Sequence, residues 1–196
     1  YVSASPLQLA VMTARLASGL ALDPQLIRAE NGQPALRTDF PELDIDPKHL
    51  KIVRDAMFAV TNDRKGTAYS SRIIADNARM AGKTGTSQVR NISEAERRSG
   101  VIKNEDLPWE RRDHALFVNF APADDPEIAV CVVVEHGGGG SAAAAPIARD
   151  ITLQALYKGD PPLDAYPPKD RERIAQQQRA IREKMPDLNA VRKARV

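Results

Sequence analysis

The apolar positions Leu7, Leu9, Val11, Met12 and Leu16 wrap most of a helical circumference, which predicts a buried helix. Ser5 stands where an N-cap belongs, Pro6 suits the first helical position, and Gln8 completes a capping box. Gly19 supplies the stop. Residues 21–45 hold Pro24, Pro34 and Pro41 and read as irregular. Asp46-Pro47 repeats the cap-then-proline signal, and Ile52, Val53, Ala56, Met57 and Val60 then form one helical stripe, ended by Asn62 and Gly66.

Three strands are expected next. Met80–Val89 is polar with two glycines, and His114–Ala121 is mixed. Glu127–Glu135 is a near-continuous β-branched run, the pattern of a central strand covered on both faces. Asp124-Asp125-Pro126 is a tight connection, so the last two strands should form an antiparallel hairpin. Gly137–Gly140 breaks the chain. A further helix is expected from Pro146, with Ile147, Ile151 and Ala155 on one face and Gly159 at its end. The order predicts an α+β fold, an antiparallel sheet covered by helices. Between the first two strands, Arg90–Asp113 holds 12 charged residues among 24, a lid or an insert that Trp109 could anchor.

Composition narrows the class. Among 196 residues, 42% are hydrophobic and 28% charged, which is globular and excludes a collagen, a rod or a wholly disordered chain. The longest apolar run, Ile128–Val134, is far short of the ~20 residues of a membrane helix. The single cysteine, Cys131, lies in that run and reads as a buried, inert thiol; it excludes an intrachain disulfide and a cysteine metal cage. The net charge of +2 is uneven: residues 169–196 carry 9 basic and 4 acidic side chains. This segment follows Pro161, Pro162, Pro167 and Pro168 and reads as a polar helix or a disordered tail on a body ending near residue 160. No aromatic residue follows Tyr166 to stack on a base, and the body is not basic, so no nucleic-acid partner is expected.

Lys83-Thr84-Gly85-Thr86 is the most specific local signal. A glycine in a strand admits close approach of another backbone or a ligand, and a sheet edge offers free N–H and C=O groups to an extended peptide. Lysine adds positive charge, threonine hydroxyls hold a carboxylate, and backbone N–H groups stabilise an oxyanion. Lys-Thr-Gly is the third element of the active-serine penicillin-recognising set. Three further segments accompany it: Tyr1–Leu9 before the motif, then Arg112–Pro122 and Ile128–Gly137 after it. In order and spacing, residues 1–160 resemble the C-terminal part of the transpeptidase domain of class B penicillin-binding proteins, elongation-type peptidoglycan D,D-transpeptidases.

The resemblance implies a penicillin-recognising fold, only partly present, and a site on the first of the three strands. Lys83 would belong to the catalytic hydrogen-bond network. Thr84 and Thr86 would bind the terminal carboxylate of a stem peptide or of a β-lactam. The N–H of Thr86 would form half of an oxyanion hole, Gly85 would leave room for substrate, and Ser87 would extend the binding strand. It further implies a cell-wall enzyme of the inner membrane facing the periplasm, working beside a membrane glycan polymerase, with no cofactor; some relatives hold a zinc upstream of the third motif, and none of its ligands can be placed in this chain. Period-2 alternation places Lys83 and Thr84 on opposite faces, so a joint role needs a twisted edge.

The departure from the family pattern is as specific as the match. No serine here begins a Ser-x-x-Lys or a Ser-x-Asn element; Ser99 is followed by Lys103 at the fourth position. The nucleophile and its base are expected in an upstream portion of the same protein, and this chain alone is expected to be inactive. A non-catalytic scaffold or peptide-sensing module of the same fold is the alternative; an upstream Ser-x-x-Lys would decide between them. Gly137–Gly140 lacks the Gly-Lys-Ser/Thr of a phosphate loop. His49, His114 and His136 have no ligand spacing, and His114 beside Asp113 lacks a nucleophile elbow.

Overall fold

The computed structural model describes residues 3–184 apart from Arg28 and Ala35. Helix α1 spans Pro6–Ser18 and opens with the expected capping box: Ser5 Oγ accepts from Gln8 N, and Gln8 Oε1 accepts from Ser5 N. Gly19 ends it in the left-handed conformation that glycine adopts without a Cβ clash. A small antiparallel hairpin, β1 (Ala29–Glu30) and β2 (Gln33–Pro34), interrupts the segment expected to be irregular. Helix α2 spans Pro47–Asn62, capped by the Asp46 carboxylate accepting from Lys48 N.

The sheet follows: β3 (Ala81–Ser87), β4 (His114–Ala121) and β5 (Ile128–Val134), antiparallel throughout and in that spatial order. Helices α1 and α2 cover one face, where Ala17, Met57, Ala81, Val118 and Phe120 form a core. The other face meets helix α4 (Ala144–Tyr157), with Phe117, Ala115, Val132, Ala148 and Leu153 in a larger core. Each fully buried large side chain there, such as Phe117 or Leu153, contributes about 1.5–3 kcal/mol through removal from water.

Several expectations are corrected. The middle strand is β4, buried along most of its length, whereas β5 is half-buried and pairs only with β4 among the described residues. Its side chains pack on both faces, as expected: Val130, Val132 and Val134 meet one core, Ala129 and Cys131 the other. Cys131, within β5, is half-buried, and that burial pushes its thiol up. Helix α1 is covered mainly at Thr13 and Ala17, with Leu7 and Met12 exposed. In α2 the buried positions are Leu50, Met57 and Thr61, while Ile52 and Val53 face outward. Helix α4 buries Ala144, Ala145, Ala148, Arg149, Thr152 and Leu153; Ile147 and Ile151 remain 44% and 46% exposed. Small side chains let α4 lie close against the sheet, which is why the alanine face and not the isoleucine face turns inward.

The basic segment is helical in its described part, α5 (Arg171–Lys184), and residues 185–196 lie outside the described residues. The segment after residue 160 packs on the body. Ala165, Tyr166 and Ile174 belong to the larger core, and Ile74 N donates to the Ala165 carbonyl at 2.8 Å. Arg149, fully buried in α4, carries this docking: its guanidinium meets Asp170 at 2.5 Å and Asp150 at 2.8 Å and lies 5.2 Å from the Tyr166 ring centroid. Burial, with Asp150 nearby, pushes the Tyr166 phenol up to about 12. A charge removed from water is tolerated only with such partners. Among the described residues no helix is long and apolar enough to cross a membrane.

Candidate active site

Strand β3 begins from a fixed point. Thr61 Oγ1 donates to the Met80 carbonyl at 2.6 Å, and Asn62 Nδ2 donates to the same oxygen at 2.9 Å. The end of α2 thus holds the residue that precedes the strand. Ala81 and Gly82 are buried, and from Lys83 onward the strand comes to the surface. Among the described residues β3 pairs only with β4, so Lys83–Ser87 lies along a sheet edge.

The register sets the faces. Lys83 and Gly85 lie opposite Val118 and Leu116 and share the α1–α2 face; Thr84 and Thr86 lie opposite Phe117 and Ala115 and share the α4 face. The side chains nevertheless meet at the edge. Lys83 Nζ donates to the Thr84 carbonyl at 2.7 Å, which keeps its charge beside the strand. Thr84 Oγ1 lies 3.0 Å from Thr67 Oγ1, a contact from the turn after α2. Thr86 and Ser87 are exposed. Lys83, Thr84, Gly85, Thr86 and Ser87 therefore form one continuous accessible strip. Its members supply a cation, hydroxyl groups and the backbone of an edge strand, groups chemically able to pair with an extended peptide and with a carboxylate.

Gly85 is backed by a second glycine. A Cβ at Gly140 would fall 2.2 Å from the Leu116 carbonyl oxygen and 2.5 Å from that of Gly85. The glycine run before α4 is thus a packing surface for the Lys-Thr-Gly strand, a role beyond the expected chain break. Neither Thr67 nor Gly140 was evident as a site residue in the sequence. Lys65-Gly66-Thr67-Ala68 follows a helix stop and has no periodicity, and Gly140 is one of four consecutive glycines.

The loop between β3 and β4 is ordered by its own contacts. It contains α3 (Glu94–Ser99), and Arg90 binds Glu96 through two bonds of 2.6 and 2.5 Å. That guanidinium, helped by the Ile102 N–H, pulls the Glu96 carboxyl down to about 2. Asp113 closes the base: its N–H donates to Asn104 Oδ1 and its carbonyl accepts from Gly138 N. Leu107 is the buried anchor. Trp109 packs on His136, 4.4 Å between centroids, yet stays 55% exposed. His114 Nδ1 accepts from His136 N, and the His136 Nδ1–H donates to the Arg112 carbonyl. These histidines are structural joints, and the Asp113 carboxylate accepts from Val89 N and Asn104 Nδ2 instead of serving as the partner of a catalytic His114. Among the described residues no group of three or more His, Cys, Asp or Glu side chains is placed to hold a metal.

A three-stranded antiparallel sheet between helical layers, with Lys-Thr-Gly on its edge strand, has the form of a transpeptidase domain. Residues 2–153 match the penicillin binding protein transpeptidase domain, and the chain belongs to that family. Its relatives within the family include proteins of the MrdA, or penicillin-binding protein 2, type. The peptidoglycan D,D-transpeptidase MrdA of Haemophilus influenzae is 33% identical over 190 residues, covering 92% of this chain and 28% of the relative. Coverage that wide extends past residue 160, so the likeness includes part of the basic segment. MrdA of Acinetobacter baumannii is 37% identical over 142 residues, 69% of this chain and 20% of the relative. The structure of Pseudomonas aeruginosa PBP2 in complex with WCK 5153 superposes with a TM-score of 0.58 at 36% identity, over 80% of this chain and 30% of that one. Helicobacter pylori PBP2 in complex with MreC gives 0.58 at 30% identity, over 79% and 25%. The chain spans less than a third of the length of these relatives.

Proposed function

We propose that this chain forms one wall of the active site of a peptidoglycan D,D-transpeptidase, with Lys83–Ser87 as the strand that receives the substrate. The observation that carries the reading is the exposed edge strip, whose lysine, threonine hydroxyls and backbone lie together on a rigidly backed strand. In this reading the stem peptide lies along β3 as an added strand. Thr84 and Thr86 hold its terminal carboxylate, Thr86 N–H stabilises the oxyanion, and Lys83 assists proton movement at the nucleophile. The nucleophilic serine belongs to another part of the full-length parent. It attacks the D-Ala–D-Ala carbonyl, the C–N bond breaks, D-Ala leaves as the protonated amine, and an amine of a neighbouring stem displaces the serine. A β-lactam would acylate the same serine.

The surrounding assembly follows from the same reading. The parent would be anchored in the inner membrane with this domain in the periplasm, beside a glycan polymerase of the elongation machinery. That Helicobacter pylori PBP2, a relative, is solved in complex with MreC supports a protein partner of that kind for the parent. The test is D-Ala release and cross-link formation by the full-length parent on pentapeptide substrate, followed by mass spectrometry. Lys83→Ala should lower both at least tenfold with the fold retained. Cross-linking by the variant at the parental rate would refute the assignment.

A further inference from the structure

Resting on the carboxylate role proposed for Thr84, we infer that Thr67 is a positioning residue that fixes the direction in which the Thr84 hydroxyl donates. A hydroxyl has one proton to give and two lone pairs to receive. The two Oγ1 atoms are 3.0 Å apart, so one of them donates to the other. If Thr84 gave its proton to Thr67, nothing would remain for a carboxylate. With Thr67 as donor, the Thr84 proton points to the open edge, and the accepted bond polarises it towards an anion.

The backbone on which Thr67 sits is tightly held. A Cβ at Gly66 would fall 2.3 Å from the Val60 carbonyl oxygen and 2.4 Å from that of Ala59, so only glycine brings the turn this close to α2. Gly66 N donates to the Asp63 carbonyl at 2.9 Å, and Ala68 N donates to that of Val60 at 3.0 Å. Ala68 is fully buried. Thr67 itself is exposed, and Thr84 is its side chain's one hydrogen-bond partner among the described residues. Two anchored neighbours thus hold forward a side chain whose contact is with the carboxylate-binding threonine.

The experiment measures acylation of the full-length parent by a fluorescent penicillin and by its carboxyl methyl ester. Thr67→Val, Thr67→Ser, Thr84→Val and the Thr67→Val/Thr84→Val pair are compared. Thr67→Val should slow the free acid about threefold to tenfold, the worth of one hydrogen bond. The ester should react with Thr67→Val at the parental rate. Thr67→Ser should restore the free-acid rate to within about twofold, since the hydroxyl is kept. The double variant should be no slower than Thr84→Val. If Thr67→Val melts lower than the parent, Thr67→Ala is judged by the same acid-to-ester ratio. Equal slowing of acid and ester, or no slowing beside a slowed Thr84→Val, overturns the inference and leaves the site reading standing. No slowing in Thr84→Val overturns the site reading itself.

Discussion

Replacing Gly140 with alanine puts a methyl group where the fold has backbone. The added carbon would lie 2.2 Å from the Leu116 oxygen, 2.5 Å from the Gly85 oxygen and 3.0 Å from the Gly85 nitrogen. Ordinary contact begins near 3.4 Å, so relief requires a shift of about 1.2 Å at the first of these atoms. None of the three is the end of a flexible side chain. Either the segment before α4 retreats or β3 moves at Gly85. Overpacking of this kind costs about 1–3 kcal/mol. A domain of 150–250 residues shifts by about 2–4 °C per kcal/mol and a larger one by less, so the melting temperature of the parent should fall by up to about 12 °C. If β3 takes up the shift, a displacement of ~1 Å at the reacting geometry lowers acylation by up to about 100-fold. Gly139→Ala is the internal control, because nothing lies within 4 Å of its added carbon. Both variants are measured in the full-length parent, by thermal melting and by penicillin acylation. A Gly140→Ala protein matching Gly139→Ala in both would refute the idea that this glycine backs the Lys-Thr-Gly strand.

Arg149→Ala should destabilise the fold by about 3–5 kcal/mol, because Asp170 and Asp150 lose their buried counter-ion. Urea unfolding of the parent checks it, and an unchanged midpoint would show that α5 does not dock through this residue. The Arg90–Glu96 pair makes the β3–β4 loop acid-sensitive. The folded Glu96 value is lowered to about 2, so the pair's contribution is full above the unfolded value of about 4.3 and is lost as pH falls towards 2. Hydrogen exchange across residues 90–102, corrected for intrinsic rate, should quicken over that window in the parent. In Glu96→Gln it should be fast and flat with pH, and a pH-dependent Glu96→Gln profile would contradict the assignment.

Local signals were legible where one residue type decides the outcome. Ser5, Gln8 and Gly19 bound α1, Asp46-Pro47 starts α2, and β4 spans the expected His114–Ala121. Faces and strand order were less legible, because they depend on what packs against each element. The β-branched run 128–134 has the composition of a central strand, while among the described residues β4 lies in the middle. Isoleucines at 147 and 151 outweigh alanines in any hydrophobic count, but alanines 145 and 148 allow α4 to approach the sheet. Pro161, Tyr166 and Ile174 follow no helical or strand period, so the docking of α5 through a buried arginine had no periodic signature. At the site, Lys83–Thr86 was readable as a motif. Thr67 and Gly140 were not, since each acts through a contact far from it in the chain.

Fluorescent-penicillin labelling of the full-length parent decides whether β3 carries the third motif of a serine acyl-transfer site. The parent and Lys83→Ala are compared by labelled band intensity over time, at matched concentration and confirmed melting behaviour. Rapid covalent labelling of the parent is expected, and labelling at least tenfold slower for Lys83→Ala, with unlabelled penicillin competing in both. A folded parent that takes no label, or a Lys83→Ala protein labelled at the parental rate, would contradict that role for β3.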